Sequence, residues 1–81
     1  MTRRIKVSEI SPGMFESERY VILNVENRPY SLMVDESSLK GDTLEVSVVA
    51  QNGDTAIIEL PRDTFNAGSR IRVPKSMLLA A

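Results

Sequence analysis

The run from Thr43 to Leu60 constrains the fold more than any other stretch of the chain. Leu44, Val46, Val48 and Ala50 alternate with Glu45, Ser47 and Gln51, and Ala56, Ile58 and Leu60 alternate with Thr55 and Glu59. That period of two belongs to a strand with one buried face. Asn52-Gly53 separates the two arms and is a strong hairpin-turn signal. The run therefore reads as a β-hairpin, and its apolar face selects the register. A loop of Asn52-Gly53 alone sets Val48 opposite Ile57 and sends Ala56, Ile58 and Leu60 to the wrong face. A loop of Gln51-Asn52-Gly53 sets Val48 opposite Ala56, Val46 opposite Ile58 and Leu44 opposite Leu60. Because a one-residue slip exchanges the faces, this register is preferred. Gly53 then lies in the left-handed region of a bulged turn, and Glu45 faces Glu59. A loop of Asn52-Gly53-Asp54 is the alternative apolar register and separates the two glutamates.

The remaining segments have the same character. Arg4-Ile5-Lys6-Val7 is a short strand with Ile5 and Val7 inward, and Ser11-Pro12-Gly13 ends it in a type II turn with Gly13 at positive φ. Met14 to Val25 reads as a bending strand, Glu26-Asn27-Arg28-Pro29 as a turn, and Tyr30 to Asp35 as its partner. That pairing sets Val25 opposite Tyr30, Leu23 opposite Leu32 and Val21 opposite Val34. Ile22 and Met33 make the other face partly apolar as well. Glu36 to Asp42 is a connector with Leu39 tucked inward. Pro61 to Gly68 is irregular, with a turn of 3₁₀ helix anchored by Phe65. Arg70-Ile71-Arg72-Val73 is the last strand. The glycine-polar-alternating pattern at Gly41–Val46 and Gly68–Val73 reads as recurrent turn chemistry, not as a duplication.

With 81 residues the chain makes one small domain, residues 1–81, ending in a short apolar tail at 76–81. The expected architecture is all-β: a five- to six-stranded antiparallel barrel, SH3-like, with an OB-like barrel or a two-sheet sandwich as the second choice. Without cysteine or histidine, disulfides, thiolate nucleophiles and the commonest bases and metal ligands are excluded. No phosphate-binding glycine loop or nucleophile elbow occurs. Asp35-Glu36 sits at a strand end where adjacent side chains diverge, and Asp63 to Gly68 lacks calcium-loop spacing. No cofactor or metal is expected, and the chain is not read as an enzyme. No apolar segment approaches the length of a membrane span, so a cytoplasmic protein without membrane attachment is expected.

The net charge of −1 conceals a segregation. Residues 1–8 carry +3, residues 9–59 carry −7 and residues 60–81 carry +3. If the first and last strands pair, Arg4, Lys6, Arg70 and Arg72 share an outer face that could bind phosphates. Against this, no aromatic interleaves with them and the isoelectric point is about 5.3. Alternating charges also simply solvate a face and discourage edge pairing. Met77, Leu78 and Leu79 form a candidate interface: they either fold back onto the domain or dock on another chain. The favoured expectation is a non-catalytic binding or regulatory module recognising protein or itself. The alternative is a nucleic-acid-binding module using the basic terminal strands.

Overall fold

The computed structural model describes residues 1–81. The chain is all-β and antiparallel, as the alternation requires. Six strands have five residues or more: β1 (Thr2–Lys6), β3 (Glu18–Val25), β4 (Arg28–Asp35), β6 (Thr43–Asn52), β7 (Thr55–Thr64) and β8 (Gly68–Pro74). Three are shorter: β2 (Glu9–Pro12), β5 (Leu39–Lys40) and β9 (Leu78–Leu79). Two 3₁₀ turns, Glu36–Ser38 and Lys75–Met77, precede β5 and β9. The strands form a large sheet in the order β8-β7-β6-β1-β9, with β5 also on β6, and a small sheet in the order β2-β3-β4. The chain crosses between them just after β1. Val7 N–H donates to Asp42 O in the large sheet at 2.8 Å, and Ser8 N–H donates to Ile22 O in the small one at 2.8 Å.

Both hairpins keep the expected faces but change their turns. Between β3 and β4 the loop is only Glu26-Asn27, with φ of 49° and 68°, the positive pair of a type I′ turn. Leu23 therefore pairs with Tyr30, Val21 with Leu32 and Arg19 with Val34, two residues from the expected register and hence on the same faces. Between β6 and β7 the loop is Gly53-Asp54, since Asn52 pairs with Thr55. Gly53 has φ of 60°, as its position demands. This tight turn alone would put the apolar residues out of phase. A bulge between Val48 and Ala50 restores them, so Val48 meets Ile58. That is the alternative apolar register. Glu59 faces Ser47, and Glu45 faces Arg4.

Two further expectations are corrected. Gly13 does not take positive φ. It is there because a Cβ would lie 2.8 Å from Glu18 Cβ and 3.1 Å from the Glu18 carbonyl carbon. Phe65 is no core anchor: it is 67% exposed and stacks on Tyr20 with ring centroids 6.2 Å apart. The segment before it continues β7 to Thr64, and the 3₁₀ turns lie elsewhere.

The structure also contains an internal repeat. β3, β4, the first 3₁₀ turn and β5 follow the same path as β7, β8, the second 3₁₀ turn and β9. Val21 opposite Leu32 corresponds to Ile58 opposite Ile71, and Arg19 opposite Val34 to Ala56 opposite Val73. Glu36 N–H donates to Ser17 O and Lys75 N–H donates to Asp54 O, each at 2.8 Å. The copies then exchange ends: Leu39 pairs with Leu44 of β6, and Leu78 pairs with Ile5 of β1. Ile5 and Leu44 pair with each other, while Arg4–Glu45 and Lys6–Thr43 flank them reciprocally. A pseudo-twofold axis thus passes between β1 and β6. The repeat is imperfect in its caps. Asp35 accepts from Ser37 N–H, which holds its carboxyl below the usual range, whereas Pro74 has no side-chain cap.

One core joins the two sheets. Its 16 buried residues include Ile5, Leu44, Ile58 and Val73 from the large sheet and Val21, Leu23, Leu32 and Val34 from the small one. Leu39, Val48 and Met77 pack against it partly buried. Burying a large aliphatic side chain contributes about 1.5–3 kcal/mol, so this contiguous cluster is what holds the sheets together.

Candidate functional site

The charge segregation of the sequence becomes pairing within the large sheet. The basic strands β1 and β8 are not neighbours, because β6 and β7 lie between them. Arg4, Lys6 and Arg70 do share the outer face, but acids from β6, β7 and the β5–β6 turn meet them there. Arg70 Nε lies 2.6 Å from Glu59 Oε1, Arg4 Nη1 3.7 Å from Glu45 Oε1, and Lys6 Nζ 3.6 Å from Asp42 Oδ2. The Arg70 hydrogen bond holds the Glu59 carboxyl below its ordinary pKa, and a bond from Ser69 adds to it. Arg4 is committed further. Its Nε donates to Thr43 Oγ1 at 2.7 Å and its Nη2 to Thr43 O at 3.0 Å, so it ties β1 to β6. The four expected basic residues therefore do not make one patch. Arg72 alone among them forms neither a salt bridge nor a side-chain hydrogen bond.

The tail folds back onto its own chain. Leu78 is 9% exposed and pairs with Ile5, Met77 packs against the core, and Leu79 is 44% exposed. Arg3 Nε fixes the end by donating to Leu79 O at 3.0 Å.

The most site-like feature lies along β8. This strand pairs with β7 on one side and ends the large sheet on the other. Pro74 stands opposite Thr55 and has no N–H, so theirs is a non-hydrogen-bonded pair. Antiparallel pairs alternate, which makes Ile57–Arg72 and Glu59–Arg70 non-hydrogen-bonded too. The backbone N–H and C=O of Arg70 and Arg72 consequently point away from β7, and no backbone hydrogen bond reaches them from a loop. A groove of about 520 Å³ runs beside this edge. Its walls include Ile57, Arg70 and Arg72 on one side and Val25, Arg28 and Tyr30 of the β3–β4 hairpin on the other. Arg28, like Arg72, has no side-chain partner, and Glu26 is the single acid on the rim.

The repeat supplies the comparison. The counterpart of β8 is β4, which ends the small sheet, and the counterpart of Arg70 is Ser31. That edge is covered. Phe65 N–H donates to Ser31 O at 2.9 Å, Asn66 Nδ2 donates to Pro29 O at 3.3 Å, and the Phe65 ring lies on Tyr20. The cover comes from the β7–β8 connection. The counterpart connection, Glu26-Asn27, is too short to cover β8 in the same way. One edge of the pseudo-symmetric pair is closed by the chain itself and the other is open.

Sequence reasoning named Arg70 and Arg72 as candidate binding residues but missed the edge and the groove they line. Arg28 reads as a turn residue and Ile57 as an outward position. The one available signal was Pro74, whose missing donor sets the phase of β8. The core itself contributes no polar chemistry: Thr64 is its one buried polar residue, and its hydroxyl donates to Gly68 O at 2.7 Å and accepts from Ala67 N–H at 2.8 Å. No helix is long and apolar enough to cross a membrane. Comparison with protein-family models, curated proteins and solved structures finds no match to this chain.

Proposed function

We propose that this chain is a non-catalytic recognition module that takes up an extended segment of a partner protein by strand addition along β8. One observation carries the reading: the backbone groups of Arg70 and Arg72 face an open edge beside a groove, while the equivalent edge of β4 is closed by the chain's own Phe65. Strand addition supplies affinity through main-chain hydrogen bonds and selectivity through alternate side chains. An unpaired edge is otherwise a template for aggregation, and it persists where it is used or guarded. The two arginines that flank it guard it against promiscuous pairing. A nucleic-acid strand fits this edge poorly, because a phosphodiester backbone carries no N–H to donate to the Arg70 and Arg72 carbonyls.

The test is selection of binders from a random peptide library, followed by amide hydrogen exchange of the complex. Strand addition slows exchange of the Arg70 and Arg72 amides selectively. Binders that protect only the outer face of β3 and β4 would show that the module binds elsewhere.

A further inference from the structure

The groove also specifies the chemistry of the segment it takes, and this step rests on strand addition at β8. We infer that the partner strand carries one aromatic residue with carboxylates close on either side of it. The closed edge of β4 is the template. There, Phe65 N–H meets the carbonyl of Ser31 and the Phe65 ring covers Tyr20. The repeat maps Ser31 to Arg70, Tyr20 to Ile57 and Met33 to Arg72. A strand docked in the same way donates an N–H to Arg70 O and lays that residue's side chain over Ile57, which is half-buried and lines the groove. An aromatic ring fills that place as Phe65 fills its own, alongside the Arg72 stem.

The neighbours of that ring meet charge. Side chains two positions away along a strand return to the same face, where Arg72 has no acceptor in its own chain. Side chains one position away face the hairpin wall, where Arg28 has none either. Arg70 is already bonded to Glu59, so the charge left without a protein partner belongs to the exposed Arg28 and Arg72. Carboxylates satisfy both, and arginine binds them through charge-assisted, often bidentate hydrogen bonds. The segment that closes β4 carries one such carboxylate, Asp63, two residues before Phe65.

The experiment uses the full chain and a capped synthetic peptide of alternating threonine and valine, with a central phenylalanine and aspartates one and two positions from it on each side. Binding is followed by calorimetry. The expected result is saturable binding that weakens at least tenfold when the aspartates become lysines. Methylating the phenylalanine backbone nitrogen, which removes the donor to Arg70 O, weakens it to a similar degree. Arg28→Glu and Arg72→Glu each weaken the aspartate peptide, and together they restore binding of the lysine peptide. Equal binding of both peptides overturns the acidic assignment and leaves strand addition standing. Undiminished binding after N-methylation overturns strand addition itself. A mixed-sequence oligonucleotide that binds more tightly than the peptide overturns the choice of a protein partner. A peptide-free dimer that protects the β8 amides assigns the edge to a second copy of this chain and overturns the inference.

Discussion

Ile5 and Leu44 face one another across the β1–β6 ladder, and each is paired on its other side with a leucine from a short terminal strand, Leu78 and Leu39 respectively. Both central residues are fully buried. The row Leu39-Leu44-Ile5-Leu78 is therefore where the two repeats are joined. Ile5→Ala and Leu44→Ala should each cost about 2–5 kcal/mol. The double variant should depart from the sum, with a coupling of about 0.5–3 kcal/mol, because the two side chains share one contact. A double-mutant cycle in urea measures this, and additive losses would deny the contact.

Gly53→Val should destabilise by about 1–3 kcal/mol. A Cβ at this position meets nothing within 4 Å, so the loss comes from the backbone at φ of 60° and not from crowding. Gly53→Asn should cost clearly less, since asparagine tolerates the left-handed region. Melting temperatures of the two variants separate conformation from packing.

Glu26-Asn27 forms a type I′ turn although Glu26 is poorly suited to positive φ. Replacing Glu26 by Asn and Asn27 by Gly should stabilise the protein by about 0.5–1.5 kcal/mol without altering the core. The urea midpoint should rise with an unchanged slope. A fall would mean that Glu26 makes a contribution beyond the turn.

The tail supports its own domain. Leu78→Ala should cost about 2–4 kcal/mol, and Leu79→Ala should stay within about 0.5 kcal/mol because its side chain is partly exposed. Truncation after Lys75 should lower stability while light scattering still reports a monomer. A native dimer that dissociates on truncation would place the tail at an interface instead.

Glu59 links stability to acid. Its folded pKa is depressed by Arg70, so its contribution is present above the unfolded value of about 4.3 and is lost as pH falls through the lower folded value. Unfolding midpoints should therefore drop below about pH 4.3, and Glu59→Gln should flatten that part of the drop. The outcome against it is an identical acid limb in both proteins.

Alternation made the all-β class and the inward faces of both hairpins legible, and with the Asn52-Gly53 turn signal it made the left-handed Gly53 legible too. The turns were less so. No propensity announces φ of 49° at Glu26, and the bulge at Val49 arises because Gly53-Asp54 closes the hairpin one phase away from the core. The repeat is nearly invisible in letters. Val34, Ser37 and Leu39 against Val73, Ser76 and Leu78 retain it, while two extra residues within the Pro61–Ala67 stretch shift the two arms relative to each other. The candidate groove could not be read because Arg28 and Arg72 belong to different sheets and meet only after the sheets pack. The charge blocks were legible as blocks, but cross-strand partners such as Glu59 and Arg70 turned them into complementarity.

The place of β1 has a consequence for how the chain is made. Its ladder partners, β6 and β9, are both encoded far downstream, so β1 leaves the ribosome with nothing to pair with until the second half of the chain follows. Hairpins such as β3–β4 can close locally while β1 waits, since distant pairings form late. A strand left unpaired in that interval is a template for other nascent chains. Arg3, Arg4 and Lys6 surround Ile5 with like charge and act as gatekeepers during the wait. Replacing Lys6 by threonine should thus reduce the soluble yield of refolding at high protein concentration more than it reduces equilibrium stability. The lysine would then guard a transient that the finished fold no longer displays.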